Sequence, residues 1–352
     1  MKEYDQRCKT FEAFTEELKK LIDNLLKESG IRVLSVESRT KNIESLKKTL
    51  AKKEKKVAVL NDIPDISGLR IITFFADDVD SVADIIETEF DIDQENSVDK
   101  RLMLDPDRFG YLSLHYVVRL SASRLKLTEY RRFKNCHAEV QIRSVLQHAW
   151  DEIEHDLGYK SELAVPREVR RRFSRLAGLL ETADDEFMRI RDELSEYEEK
   201  VPERIARAPE FVTIDAASLS SFIETSTLLQ EVDTKILSIV ALKGSGVEAN
   251  LEILLYELHF NGITTISGLD SALRTEQKTL PKFAELLYPD EPIVPVIGIS
   301  VIVLCLFLVG KTRSLPIAKS FLEHMPGIPF PKDIIQSRAE QIISGYERVA
   351  GC

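Results

Sequence analysis

The chain has 352 residues, is 43% hydrophobic and carries a formal net charge of -11 at neutral pH. This length exceeds the usual size of one domain, so we expect two domains that each bury their own core. The negative net charge excludes a protein that coats nucleic acid non-specifically, because such binding requires a positive surface. A local basic patch for nucleotides is compatible with this composition.

Cysteine usage and the amino terminus both indicate the cytoplasm. The four cysteines stand at positions 8, 136, 305 and 352 and form no C-x-x-C pair. This scatter argues against a structural zinc site and against a disulfide framework. The opening segment is charged and amphipathic and lacks the apolar core of a secretory signal, so no export is expected.

Helical and strand patterns alternate through the first 200 residues. Apolar residues at helical spacing predict helices at about 9–28 and 40–56, after Asp77 or Asp78, and at about 144–158 and 166–200. Short β-rich runs predict strands near 69–75, 91–98, 111–120 and 136–143, and the apolar stretch at 31–36 predicts an edge strand or a connector. We therefore predict an α+β domain over residues 1–200, with a mixed β-sheet of about five strands flanked by helices.

The remaining chain is predicted to form a second, mostly helical domain at residues 213–352. VPERIARAPE holds two prolines and no apolar period, which predicts a linker at 201–212. The segment from Ile293 to Gly310 is uncharged over 18 residues and reaches the length of a membrane span. Pro295, Gly298 and many β-branched residues favour a buried helix or paired core strands instead, so a membrane is not the expected partner.

The chemistry is predicted on two strands that each have a polar and an apolar face. Alternation places polar side chains on one face of each strand and apolar side chains on the other. The polar residues are Tyr111, Ser113 and His115 on the first strand, and His137, Glu139, Gln141 and Arg143 on the second. Burying such a polar floor is costly without a ligand or water, so the two strands together predict a ligand site.

Carboxylate and basic residues upstream of these strands suit a polyphosphate. Asp65 sits where a loop can direct its carboxylate towards Glu139. Such a pair suits magnesium, which takes one or two carboxylates plus phosphate oxygens. The cations able to neutralise the phosphates are Arg39, Lys41, Lys48 and Arg70. Because the sequence has no Walker-type glycine loop, side chains must hold the phosphates.

Three motifs in order resemble the RelA/SpoT-type alarmone synthetase domain. They are DISGLRII at 65–72, GYLSLHYVV at 110–118 and EVQIRSVLQHAWDEIEHDLGYK at 139–160, and the resemblance covers roughly residues 30–165. It implies a nucleotidyltransferase-like synthetase fold. It also implies transfer of the β,γ-pyrophosphate of ATP to the ribose 3′-hydroxyl of GDP or GTP, which gives ppGpp or pppGpp and AMP in the stringent response.

By this resemblance the site residues divide into three groups. Asp65 and Glu139 match the catalytic carboxylates that hold Mg²⁺, and Glu139 is also placed to orient or deprotonate the acceptor hydroxyl. The residues that match the ATP side are Arg39, Lys41, Ser45, Lys48 and Arg70. Tyr111 matches the tyrosine that stacks on the acceptor guanine, and the residues around the acceptor are Ser113, His115, Gln141 and Arg143.

Two other functions stay open at this stage. A toxin-like relative would pyrophosphorylate the 3′ end of tRNA or make adenosine alarmones, and Phe109 departs from the polar residue of many relatives, so the acceptor is open. A non-catalytic nucleotide sensor is the third reading, against which the retained Asp65 and Glu139 argue. The sequence lacks the histidine and aspartate set of the family's hydrolase domain, so a synthetase alone is expected. We also expect a homo-oligomer, with the charged helix at 166–200 as an assembly surface.

Overall fold

The computed structural model describes residues 2–52, 63–99, 113–157, 166–240, 247–248, 250–288 and 296–351. The chain divides into two compact units, Met1–Asp192 and Glu193–Cys352. The division falls inside one long helix and not in a loop, so the two units share a secondary-structure element in sequence.

A mixed six-stranded sheet forms the centre of the first unit, as far as that unit is described. Its strands are β1 (Val33–Thr40), β2 (Ser67–Thr73), β3 (Phe90–Ile92), β4 (Val98–Asp99), β5 (Leu114–Leu120) and β6 (Ala138–Ser144). The order is β1-β2-β6-β5-β3, with β4 paired to β5. Strands β2 and β6 run parallel, and the other pairs are antiparallel. The predicted α+β class and mixed sheet are confirmed, and the strand expected near 91–98 divides into β3 and β4.

Helices cover one face of this sheet. The helices of the first part of the chain are α1 (Lys2–Glu28), α2 (Ile43–Lys52), α3 (Asp78–Glu89), α4 (Val145–Asp156) and α5 (Arg167–Arg207). On the covered face, Val140 and Ile142 of β6 share one buried core with Phe14 of α1 and Val82 of α3. Because side chains alternate along a strand, the neighbouring positions of β6 point to the opposite face, which is polar.

Helix α4 begins where β6 ends because two side chains form a capping box. The Ser144 hydroxyl accepts a hydrogen bond from the Gln147 amide at 3.2 Å, and the Gln147 side chain accepts one from the Ser144 amide at 2.9 Å. Serine followed three residues later by glutamine is a sequence signature of this cap. No loop separates the two elements, so α4 turns back to pack against β6 and β2.

Most of the linker predicted at 201–212 is helical, since α5 continues to Arg207. An apolar period is present there, because Val201 is buried and Ile205, one turn later, packs against the core of the second unit. Pro202 lies within the helix without ending it. Residues 208–212 leave the helical path and contain a 3₁₀ turn at Pro209–Phe211.

The second unit is helical, which confirms the prediction for residues 213–352. Its helices are α6 (Ala216–Thr225), α7 (Thr227–Ile239), α8 (Leu251–Phe260), α9 (Ile266–Glu276), α10 (Leu280–Leu287), α11 (Ile299–Lys311), α12 (Leu315–Glu323) and α13 (Lys332–Ala350). Two short parallel strands accompany them, β7 (Val247–Glu248) and β8 (Val296–Ile297). The apolar faces of these helices meet in one core.

Helix α11 accounts for most of the apolar segment from Ile293 to Gly310. It has 13 residues, or about 20 Å at the usual rise, whereas a membrane span needs about 30 Å. Most of its side chains are buried, and it packs against α7, α10 and α13. Positions 299–310 therefore form a core helix, and residues 293–295 lie outside the described part. Across the described ranges, no helix combines the length and apolar character needed to cross a membrane.

Candidate functional site

Strand register assembles the polar face of the sheet. One row of register partners across four strands consists of Glu37, Arg70, Gln141 and His115. A neighbouring row consists of Arg39, Gly68, Glu139 and Val117. The parallel pairing of β2 with β6 is what places the DISGLRII motif beside the EVQIR motif. Residues that are distant in sequence thus share one surface, as the alternation predicted.

A cavity of about 160 Å³ opens on this face. It is lined by Glu37, Ser38, Arg39, Asp65, Gly68, Leu69, Arg70, Glu139 and Gln141. Five of these lining residues are predicted site residues, and they come from the carboxylate group, the ATP group and the acceptor group. The structure therefore brings the core of the predicted constellation together in one place.

Lys41 does not line this cavity, but contacts through both its backbone and its side chain hold it beside Asp65, which does. Its amide donates to the Ile66 carbonyl at 2.8 Å, and its own carbonyl accepts from the Tyr4 hydroxyl. Its ammonium group donates to the Asp65 carboxylate, and only 8% of the side chain is exposed. A lysine with so little exposure requires a charged partner, which explains why Lys41 and Asp65 occur together.

Arg70 contacts two carboxylates that sequence reasoning did not assign to the site. Its Nη1 lies 2.9 Å from Glu152 Oε1 of α4 and 3.6 Å from Glu37 Oε2 of β1. Glu37 could have been found from its alternation with Arg39 on the same strand. Glu152 could not, because only the capped start of α4 brings its side chain over β2. Both carboxylates are about half exposed, so Arg70 can exchange them for a phosphate.

Glu139 is hydrogen-bonded on both of its oxygens. Its Oε1 lies 3.0 Å from His115 Nδ1, and its Oε2 accepts from Gln141 Nε2 at 3.3 Å. The other ring nitrogen of His115, Nε2, lies 2.6 Å from the Ser113 hydroxyl. The imidazole therefore connects the carboxylate to a hydroxyl, an arrangement that can pass a proton along two hydrogen bonds.

Arg143 differs from its predicted position around the acceptor. Its side chain is 1% exposed and is not among the residues that line the cavity. The guanidinium instead donates to Asp151 Oδ2 of α4 and to Gln141 Oε1, each at 2.5 Å. The face of β6 was predicted correctly, but the return of α4 over the end of that strand buries the arginine.

Four other predicted residues with described side chains, Lys41, Ser45, Ser113 and His115, do not line the cavity either, although Lys41 and His115 contact Asp65 and Glu139, which do. Ser45 lies in the first turn of α2, where its amide donates to Asn42 Oδ1 at 2.8 Å, and it does not line the described cavity. The side chain of Lys48 and the whole of Tyr111 lie outside the described residues. The roles of Ser45, Lys48 and Tyr111 stay predictions, as do the roles of the other site residues.

Burial shifts the protonation of two groups beside the polar face. Burial lowers the pKa of His148 on α4, and the nearby Arg70 and Arg143 lower it further. Burial raises the pKa of Asp184 on α5 to about 7, with a smaller contribution from Asp185. Asp184 Oδ2 accepts from the Ser144 hydroxyl at 2.8 Å, so the cap of α4 also holds this carboxyl group.

The donor set fits a magnesium ion. The side chains of Asp65 and Glu139 are 29% and 24% exposed and line the same cavity. Magnesium is usually held by one or two carboxylates, with phosphate oxygens and water completing its shell. Arg39 and Arg70 line the same cavity, and guanidinium groups are suited to binding phosphate.

Together the fold and the cavity define an α+β domain with a polar, carboxylate-containing and arginine-containing site of the kind that suits a phosphorylated ligand. Residues 38–164 match the family model described as the region found in RelA / SpoT proteins. The first unit thus carries a RelA/SpoT-type domain, which confirms the family predicted from the three motifs.

Two curated relatives and one solved structure illustrate the similarity. The chain is 29% identical over 201 residues to GTP pyrophosphokinase YjbM of Bacillus subtilis (strain 168), which covers 53% of this chain and 92% of the relative. It is 27% identical over 160 residues to GTP pyrophosphokinase YwaC of the same organism, and this match covers 45% of this chain and 73% of the relative. A GTP pyrophosphokinase family protein from Streptococcus pneumoniae is 28% identical at a TM-score of 0.45, covering 56% of this chain and 97% of that one.

Proposed function

We propose that the chain is a pyrophosphokinase that transfers the β,γ-pyrophosphate of ATP to the ribose 3′-hydroxyl of GDP or GTP. The observation that carries this proposal is the single cavity in which Asp65 and Glu139 meet Arg39 and Arg70. The names of the two curated relatives, both GTP pyrophosphokinases, support it. Phosphoryl chemistry depends mostly on positioning and charge stabilisation, which are the properties that this surface offers.

In the proposed reaction the acceptor 3′-oxygen attacks the β-phosphorus of ATP. The bond from the β-phosphorus to the oxygen bridging it to the α-phosphorus breaks, and AMP leaves with that oxygen. Glu139 accepts the proton of the acceptor hydroxyl, and His115 can take it onward through the 3.0 Å contact. The arginines and Lys41 neutralise the phosphates of ATP, and Lys41 also keeps Asp65 in place.

Magnesium is the cofactor that we propose for this site. Asp65 and Glu139 would hold it, and when bound it would supply positive charge next to the transferred phosphates. Asp65 would shift its contact from the Lys41 ammonium towards the ion, which leaves the lysine to bind a phosphate oxygen. A requirement for magnesium in the AMP-release assay described below tests this role.

The acceptor is proposed to be a guanine nucleotide, and the competing acceptors are outcomes of one assay. The purified protein would be incubated with magnesium, γ-labelled ATP and, separately, GDP, GTP, ATP and deacylated tRNA. Label on GDP or GTP together with AMP release supports the proposal. Label on tRNA alone or on ATP alone would identify that molecule as the acceptor in place of a guanine nucleotide. Nucleotide binding without AMP release in any mixture would indicate a non-catalytic sensor.

Glu139→Gln tests the site within the same assay. The amide keeps the size of the side chain but can neither accept the acceptor proton nor carry charge to a metal, so we expect at least a 1000-fold loss of AMP release. Glu95→Gln, at an exposed carboxylate of the same unit, is the matched control and should retain wild-type activity. Comparable activity of Glu139→Gln and the wild type would contradict the assigned role.

We also propose that the chain self-associates through α5. Leu176 and Leu179 recur 11 residues later as Phe187 and Ile190, which places all four on one side of this helix, and they are 44%, 66%, 50% and 46% exposed in chain order. Two copies packed antiparallel about Ala183 would pair Leu176 with Ile190 and Leu179 with Phe187. The same arrangement sets the arginine-rich first turns of one helix against the carboxylates that follow Ile190 in the other. Light scattering should show a dimer or larger species that Phe187→Glu dissociates, whereas a monomeric wild type would contradict this.

The cytoplasm is the compartment that we propose. Among the described cysteines, Cys8, Cys136 and Cys305 are free thiols, which suit a reducing environment. ATP and guanine nucleotides are also available there. Recovery of the protein in an exported fraction would contradict this assignment.

A further inference from the structure

Asp151, Arg143 and Gln141 form a chain of contacts that ends on Glu139. Asp151 Oδ2 and Arg143 Nη1 are 2.5 Å apart, Arg143 Nη2 and Gln141 Oε1 are 2.5 Å apart, and Gln141 Nε2 lies 3.3 Å from Glu139 Oε2. Each link joins a hydrogen-bond donor to an acceptor. The chain connects a partly exposed carboxylate on α4 to the carboxylate in the cavity.

We propose that Asp151 and Arg143 are positioning residues that orient Glu139 through Gln141. This inference rests on the proposed function, because it assigns how the carboxylate that accepts the acceptor proton is held. It replaces the sequence-based expectation that Arg143 binds the acceptor nucleotide. Neither Asp151 nor Arg143 touches the substrates under this proposal.

The chemistry of arginine fixes the direction of the contacts. A guanidinium group has donors and no acceptor, so the Gln141 atom that faces it must be the amide oxygen. The Gln141 NH₂ group must then face Glu139 and donate to Oε2. A glutamine without such a neighbour could turn its amide over and present its oxygen to the carboxylate, which would repel it. Arg143 thereby leaves Glu139 Oε1 for the contact with His115.

Burial explains why Asp151 is needed. The Arg143 side chain is 1% exposed, whereas that of Asp151 is 51% exposed. A charge as buried as this guanidinium is costly unless an opposite charge and hydrogen bonds accompany it. Asp151 supplies the charge from the solvent side of α4, and the Gln141 oxygen supplies a second acceptor. The arginine can therefore stay in one rotamer behind the cavity.

The start of α4 makes this geometry reproducible. The capping box of Ser144 and Gln147 fixes where the helix begins, and Asp151 follows less than two turns after the cap. Groups held on rigid elements are more precise than groups held on loops. The distance from the cap to Asp151 thus sets the distance from Asp151 to Arg143.

Asp151→Asn is the principal test, with Asp156→Asn as the matched control at an exposed carboxylate on the same helix. The asparagine keeps the shape and removes the charge. Loss of such an outer partner typically costs about 10-fold to 100-fold in activity, so we expect kcat to fall at least about tenfold. KM for ATP and for the acceptor should change less than about twofold, since no binding contact is lost. Asp156→Asn should match the wild type.

The conservative variant Asp151→Glu separates charge from shape and protects the buried arginine if Asp151→Asn unfolds. It should retain kcat well above that of Asp151→Asn, and the pH profile of kcat should change in Asp151→Asn alone. A rise in the acceptor KM of Asp151→Asn with unchanged kcat would indicate that Arg143 binds the acceptor, and it would overturn the proposal. Equal losses of kcat in the asparagine and glutamate variants, or no loss in either, would overturn it as well.

NMR of labelled histidine gives a readout that does not depend on turnover. The His115 signal, assigned by its absence in His115→Gln, should shift in Asp151→Asn and stay in place in Asp156→Asn, because His115 contacts the oriented carboxylate. If the wild type releases no AMP with any acceptor, the proposed function fails while this signal still reports on the contacts. An unmoved His115 signal in folded Asp151→Asn would contradict the positioning role.

Discussion

The two units bury their polar groups in different ways. In the first unit one face of the sheet remains polar, and residues such as Arg70 and Glu139 keep a quarter of their surface exposed beside a cavity. In the second unit α11 lies inside a shell of helices, and its amino terminus is capped by Asp233, which accepts from the Gly298 and Ser300 amides at 2.7 and 2.8 Å. Polar side chains thus line an open cavity in the first unit, whereas in the second unit the Asp233 carboxylate accepts hydrogen bonds from backbone amides at the start of a helix.

This difference shows where chemistry should be sought. A buried carboxylate that satisfies helix amides, as Asp233 does, has a structural explanation and needs no ligand. A row of polar and charged residues from four strands, as on the open face of the first unit, does not cap any helix in this way. Glu257 of α8 fits neither pattern, because it is 1% exposed and its Oε2 has no hydrogen-bond partner among the described residues.

Glu257 should give the largest effect on stability, and it tests whether the second unit is a purely structural core. Burial raises the pKa of Glu257 from its ordinary 4.5 to about 8. A carboxyl group with a raised pKa contributes its full stability below pH 4.5 and loses it as the pH rises through 8. The difference between the two pKa values corresponds to about 5 kcal/mol in the free energy of unfolding. The unfolding temperature of the wild type should therefore decrease as the pH is raised from 5 to 8.5.

Glu257→Gln should remove most of that pH dependence, because the amide does not ionise. Calorimetry of the full chain at several pH values measures it, with Glu252→Gln at an exposed position of α8 as the matched control. AMP release should be unchanged in both variants. A pH dependence that persists in Glu257→Gln would show that another group is responsible.

Gly68→Val should separate activity from stability in the first unit. Gly68 lies between Arg39 and Glu139 in the register and lines the cavity, and a Cβ there would meet the Arg39 carbonyl oxygen at an ordinary 3.7 Å. Valine suits a strand better than glycine, so the unfolding temperature should stay the same or rise. Its methyl groups occupy the floor of the site, and we expect AMP release to fall about 100-fold, an effect of about 3 kcal/mol.

Gly68→Ala is the graded control for this prediction, since it adds a Cβ and nothing more. It should lose less activity than Gly68→Val at a similar unfolding temperature. Equal activity of the valine variant and the wild type would mean that nucleotides do not occupy this part of the sheet. A large fall in stability would mean that Gly68 has a structural role that its surroundings do not show.

Much of the first unit could be predicted from sequence because its signals are local. Alternation in the strand predicted at 136–143 gave the correct polar face of β6, and the order and spacing of the motifs gave the family. What sequence could not give is the path of α4, since only packing brings Asp151 onto Arg143 and Glu152 onto Arg70. The helix through most of the predicted linker was missed for a related reason, because Val201 and Ile205 show an apolar period only once their burial is known.

Ser144→Ala should give the smallest of these effects, and it asks how far the polar face depends on the start of α4. The substitution removes the hydroxyl that accepts from the Gln147 amide, and the loss of such a cap costs about 1 kcal/mol. It also removes the hydroxyl that donates to Asp184. Burial raises the pKa of Asp184 to about 7, so this carboxyl group is largely protonated below that pH. Thermal unfolding at pH 6 measures the loss of stability.

Activity in Ser144→Ala carries the sharper information. If the cap merely stabilises the fold, kcat should equal that of the wild type at temperatures well below unfolding. If the cap sets the distance from α4 to β6, kcat should fall several-fold with KM unchanged, in the same direction as Asp151→Asn, because both variants loosen the arginine behind Gln141. Combining the two substitutions distinguishes these cases, since variants that act through one contact chain should have a joint effect smaller than the product of their separate effects.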